Sequence, residues 1–143
     1  MFLLLIPLLA ALLAQAPPPA SSDTATVNKP ALDYAFFRDK VQPVFLNKRP
    51  GHARCLVCHE NGSPHLEELS PGATTWNEEQ SRKNFTAWSR AVVPGDVKKS
   101  RLLTHPLAAA AGGDEFHAGG KHFNSQNDPE WQTLAAWVKG QKE

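Results

Sequence analysis

Cys55 and Cys58 are the only cysteines of the chain, and His59 follows the second directly, in the stretch Cys55-Leu56-Val57-Cys58-His59. Three chemistries use thiols at this spacing. A C-x-x-C pair can cycle between dithiol and disulfide, usually within a βαβ frame. Two cysteines and two histidines can hold a structural zinc ion. C-x-x-C-H can anchor one haem c covalently. In that chemistry the two thiols add across the two vinyl groups on one edge of the porphyrin. The next residue then brings an imidazole beneath the ring, where its nitrogen binds iron. Cys55 and Cys58 are then the attachment residues and His59 the proximal ligand. A thioether is also not lost by reduction, unlike a disulfide. Exclusive cysteine use, an export-like start and a helical frame agree on the haem reading. The zinc and dithiol readings stand beside it.

An iron held by His59 has a second face. The only methionine is Met1, inside the apolar start of the chain, so a Met/His pair is ruled out for a processed protein. His52 and His65 lie close to His59 in sequence, and short tethers place them in loops on the proximal side. His105, His117 and His122 remain as candidates. His105 precedes Pro106 and reads best as an ordinary loop histidine.

The elements that must position these groups read as helices. Residues 32–46 carry Leu32, Phe36, Phe37, Val41, Val44 and Phe45 at helical spacing, and Pro43 is expected to end or kink that helix. Asn61-Gly62 stops any turn begun at CLVCH. Thr75-Trp76-Asn77-Glu78 has the form of a capping box for a helix over 76–92, with Phe85, Trp88 and Val92 on one face and Pro94-Gly95 at its end. Ser100 reads as the cap of a short helix interrupted by Pro106. Residues 112–127 form a glycine-rich loop that needs contacts outside its own backbone to hold it. Asp128 and Pro129 open a last helix, with Trp131, Leu134, Ala135 and Val138 on one face and Gly140 at its stop. Strand signal is nearly absent, so the predicted fold class is all-α.

Composition narrows the function further. A net charge of +1 gives no basic excess and argues against a nucleic-acid partner. The apolar run Phe2 to Ala14, followed by Ala14-Gln15-Ala16, suits an export signal over residues 1–16, although the start carries no Lys or Arg and Pro17 would follow the cut. An uncleaved N-terminal anchor and a soluble chain with an apolar tail are the alternatives. Residues 17–30 read as a disordered tether and residues 31–140 as the folded domain. These features predict a periplasmic or cell-envelope location, with a membrane tether if the signal is kept.

Together these stretches resemble a small monohaem c-type cytochrome, and more narrowly the cytochrome c domains of planctomycete and acidobacterial surface or periplasmic proteins. FRDKVQPVF before CLVCH, VVPGDVKKSRLL and DPEWQTLAAWVKG carry the resemblance over most of residues 34–140. It implies that the N- and C-terminal helices cross around a covalently bound haem, with Phe36, Phe37 and Phe45 meeting Trp131, Leu134 and Val138. It also implies a distal ligand from the loop before the last helix. His117 in GGDEFHAGGKHF fills that place, with His122 and then His105 behind it. His59 and His117 would make a low-spin bis-histidine iron of lower potential than a Met/His relative.

The expected partners of the haem propionates are Arg90 or Arg101, with Arg82 and the indoles of Trp76 and Trp88 also near. Lys98-Lys99 reads as a solvated face. The function expected is single-electron transfer between redox partner proteins, with no substrate converted and no enzyme activity. A haem enzyme or gas-binding sensor with an open distal site is the alternative, and a zinc-stabilised interaction module the third reading.

Overall fold

The computed structural model describes residues 29–143, and the described part is helical, with no strand. The readings of residues 1–16 as a signal and of most of 17–30 as a tether lie outside the described residues.

The first helical run comprises α1 (Tyr34–Phe36), a π-helical turn (Phe37–Val41) and α2 (Gln42–Leu46). Asp33 caps it, its carboxylate accepting from the Phe36 N–H at 2.7 Å. Pro43 does not end the run. Proline lacks an N–H, and its ring would press on the carbonyl four residues back. The backbone widens before it, so that the Gln42 N–H donates to the Phe37 carbonyl. Helix α2 then continues and brings Val44 and Phe45 inward.

CLVCH is itself a short helix, α3 (Cys55–His59). The following segment is irregular up to α4 (Glu78–Ser89). The capping box there is Asn77 with Gln80, not Thr75 with Glu78. Trp76 explains the displacement. Its indole is buried and donates to the Glu67 carbonyl at 2.6 Å, which keeps residue 76 outside the helix. The helix also ends earlier than its apolar spacing predicts, although Val92 beyond it is still buried.

Ser100 precedes α5 (Arg101–Thr104) but does not cap it with its side chain. Its hydroxyl instead donates to the Asp96 carbonyl at 2.7 Å and accepts from the Val93 N–H at 3.0 Å, closing the turn behind α4. Helix α6 (Pro129–Val138) follows the sequence reading closely. The Asp128 carboxylate accepts from the N–H groups of Glu130 and Trp131, and Gly140 adopts φ 86° just past its end.

The core joins the first and last helices. Phe37 and Trp137 are fully buried, with ring centres 5.0 Å apart, and Phe85 of α4 packs on both. The Trp137 indole donates to the Asp33 carbonyl at 2.8 Å, tying α6 to the start of the chain's first helix. Trp131, Leu134, Ala135 and Val138 are buried as their spacing predicts. Trp137 lies off that stripe, so the sequence pattern did not mark the largest fully buried side chain of the core.

Candidate functional site

A cavity of about 450 Å³ opens beside α3. Val44, Phe45, Trp88, Leu102, Phe123 and Leu134 give it an apolar wall, and Cys55, Cys58, His59 and His117 line it. Elements far apart in sequence thus converge on CLVCH. Both cysteines are free thiols, Cys58 exposed and Cys55 partly buried. Burial pushes the Cys55 thiol up to about 11, the reverse of what an activated redox thiol needs.

His59 is fixed on one side. Its Nδ1 lies 2.7 Å from the Pro64 carbonyl, and a carbonyl can only accept, so Nδ1 carries the proton and Nε2 keeps its lone pair. Trp88 packs edge-on against the ring, with centres 4.8 Å apart. Burial holds the imidazole below its ordinary range, which keeps it in the neutral form a metal requires.

His117 repeats this arrangement from the loop. Its Nδ1 donates to the Gly120 carbonyl at 2.6 Å, so Nε2 is again the free nitrogen. Burial lowers its pKa too. The two imidazole centres are 6.4 Å apart and their planes differ by 24°. Two imidazoles binding one metal ion from opposite sides, with metal–nitrogen bonds of about 2 Å, hold their centres roughly 6–6.5 Å apart. The Nδ1–carbonyl bond is also the usual way a ligating histidine is oriented.

The other histidines differ. His105 lines the cavity, but its Nδ1 is held by Asp114 at 2.8 Å and its Nε2 lies 3.5 Å from an Arg101 nitrogen. His122 is buried against His52, ring centres 4.8 Å apart, and is 5.9 Å from His117. Burial first, then neighbouring His52 and His117, depress its pKa to about 4. His52 therefore stands against His122 of the glycine-rich loop, not where its short tether to His59 predicts, because the turn closed by its N–H on the Arg49 carbonyl at 3.1 Å carries it there. His65 is an exposed loop residue near Glu67, as its position predicts.

The glycine-rich loop over residues 112–127 is held from outside its own backbone. Asp114 N–H donates to the Thr104 carbonyl at 2.9 Å, and Lys121 Nζ donates to the His105 carbonyl at 3.0 Å. Phe123 N–H donates to the Pro106 carbonyl at 3.1 Å, while its own carbonyl accepts from Ala108 at 2.8 Å. Gly113 must be glycine: a Cβ there would lie 2.0 Å from the Leu107 carbonyl oxygen.

Among the polar groups expected around the cavity, Arg90 and Arg101 do line it, and Arg54 joins them. Arg82 does not: it pairs with Glu78 at 2.6 Å and lies over the Tyr34 ring. The indole N–H groups of Trp76 and Trp88 are already bonded to the carbonyls of Glu67 and His65. Lys99 pairs with Asp96 on an exposed surface, as a solvated lysine does. Sequence reading missed Arg54, although its place next to Cys55 was a sufficient signal.

Among the described residues, no group of three or more His, Cys, Asp or Glu side chains is placed to enclose a metal ion. A haem needs only two donors from the chain, since the porphyrin supplies four, and the residues around this cavity fit that demand. In comparisons with family models, curated proteins and solved structures, nothing matches the chain.

Proposed function

We propose that the protein is a monohaem c-type cytochrome that passes single electrons between redox partner proteins in the cell envelope. Cys55 and Cys58 would carry the haem as thioethers, and His59 and His117 would bind its iron. When bound, such a group supplies a ferric–ferrous couple. The chain's part is to orient both imidazoles, to exclude water with Phe45, Trp88, Leu102 and Phe123, and to leave Cys58 near the surface, where a partner can approach.

The observation that carries this reading is the pairing of His59 and His117. Their separation suits one shared metal ion, and each Nδ1 is tied to a backbone carbonyl so that Nε2 is free. The zinc alternative loses ground because the cysteines and histidines do not close into a cage. The dithiol alternative loses ground because the Cys55 thiol is pushed up.

The test is production in a host with haem-attachment machinery, followed by intact mass and oxidised and reduced spectra. The expected result is the added mass of one haem and a low-spin spectrum in both states. A chain without that mass sinks the proposal. His117→Ala is expected to give a high-spin ferric spectrum with the mass unchanged; an unchanged low-spin spectrum removes His117 as the ligand.

One feature favours the alternative, a haem enzyme or gas-binding sensor. His117 stands on a loop whose tip is open to solvent, with Phe116 73% exposed beside it. Rapid carbon monoxide binding to the reduced wild-type protein would select that reading.

A further inference from the structure

The arginines of the chain divide into two sets. Arg38 pairs with Asp39, Arg49 with Asp128 and Glu130, and Arg82 with Glu78. Arg54, Arg90 and Arg101 make no ion pair among the described residues, and all of them line the cavity beside α3. Among the described residues, no Asp or Glu lines it. A chain with nearly balanced charge thus leaves its uncompensated guanidiniums around one apolar cavity. An apolar pocket edged by unpaired guanidiniums suits an occupant with a flat apolar body and carboxylates at its rim, because guanidinium and carboxylate match in geometry and charge.

The backbone brings two of these arginines together. The Leu102 N–H donates to the Ala91 carbonyl at 3.0 Å, which sets the end of α4 beside the start of α5. Arg90 and Arg101 immediately precede the bonded residues. Arg54 comes from the other wall, next to Cys55.

We propose that Arg90 and Arg101 form the carboxylate-binding pair of the cavity and hold the two propionates of the haem. The inference rests on the haem reading and assigns a role to two residues that reading does not need. Arg54 stands by the attachment cysteines and so by the thioether edge of the porphyrin, away from the propionates. It provides an in-cavity comparison of equal charge.

The experiment uses the intact holoprotein and its R90Q, R101Q, R54Q and R82Q variants, each first checked for haem mass and low-spin spectrum. The midpoint potential is then measured from pH 5 to pH 9. Loss of a cation beside the propionates favours the ferric state and makes those carboxylic acids harder to ionise. R90Q and R101Q should therefore lower the potential and move its pH-dependent segment to higher pH, with the double variant shifted further. R54Q should leave the pH-dependent segment in place, and R82Q should match wild type throughout. Equal behaviour of R54Q and R90Q, or a pH profile in R90Q and R101Q like that of R82Q, overturns the pair. A chain that purifies without haem overturns the haem reading together with this inference, and it is recognised by mass before any potential is measured.

Discussion

The two walls of the cavity are built by different means. The CLVCH wall is local: a single turn of helix carries Cys55, Cys58 and His59, and the His59 ring is oriented by Pro64, five residues on. The distal wall is assembled from distant parts. His117 is oriented by its own loop through Gly120, but the loop is pinned to the segment around Thr104, His105 and Pro106 by backbone bonds and by Lys121. A site whose chemistry must survive everywhere is best placed in one short turn. A site that sets ligand strength and access can sit on a pinned loop, where each pin tunes it separately.

The largest test of this contrast removes the local wall. Replacing both Cys55 and Cys58 by Ala should abolish covalent haem entirely, read by intact mass, while distal changes such as His117→Ala leave that mass in place. If a distal change also eliminated attachment, the walls would not be separable.

Trp137→Ala comes next, because its ring packs on Phe37 of the first helical run and Phe85 of α4 in the core, outside the cavity lining. The loss should be about 3–5 kcal/mol in a urea melt, as for other large-to-small aromatic changes in cores. A loss below about 1 kcal/mol would mean that the first and last helices are held by other contacts.

Gly113→Ala acts on one wall only. Its Cβ would strike the Leu107 carbonyl, so the backbone at the base of the distal loop must shift. The expected cost is about 1–3 kcal/mol, the range of overpacked sites. Carbon monoxide binding to the reduced protein should appear or quicken, with the haem mass unchanged. Wild-type binding kinetics would show that the loop is not positioned through this contact.

The smallest expected effect lies behind the proximal wall. Asp128 caps α6 and pairs with Arg49, which belongs to the turn leading into CLVCH. Burial works to raise the Asp128 carboxyl, but Arg49 and the N–H groups of Glu130 and Trp131 outweigh it and hold the carboxyl below its usual range. A depressed carboxyl pKa gives stability that is complete above the unfolded value of about 3.9 and is lost as pH falls through the folded value. Asp128→Asn keeps a capping side chain and should cost about 1 kcal/mol at neutral pH. The gap between wild type and variant should close below about pH 4 in acid melts. A gap that persists there would exclude the carboxylate's charge as its source.

How much of this could be read in advance differs element by element. Helix α6 was legible because Asp128, Pro129 and Gly140 act within one turn of themselves. The first helix was legible in extent but not in form, since the π turn answers a clash between Pro43 and the carbonyl four residues earlier. The capping box moved to Asn77 because a buried indole at Trp76 gained more than a cap at Thr75 did, and burial is a tertiary property. Arg82 and Arg90 look alike in sequence, yet only Arg90 faces the cavity.

By its sequence alone, the chain fixes the pair of thiols and the imidazole that follows them, the helical class, and the short list of further histidines that the proposed site can draw on. Those are properties of residue type and short-range spacing, where the covalent chain itself sets the distance. The tertiary structure decided that His117 keeps Nε2 free while both nitrogens of His105 have neighbours, that His52 packs on His122 of the glycine-rich loop, and which arginines have no carboxylate partner among the described residues. Those outcomes depend on which distant groups compete for each hydrogen bond and each charge, and only packing brings the competitors together.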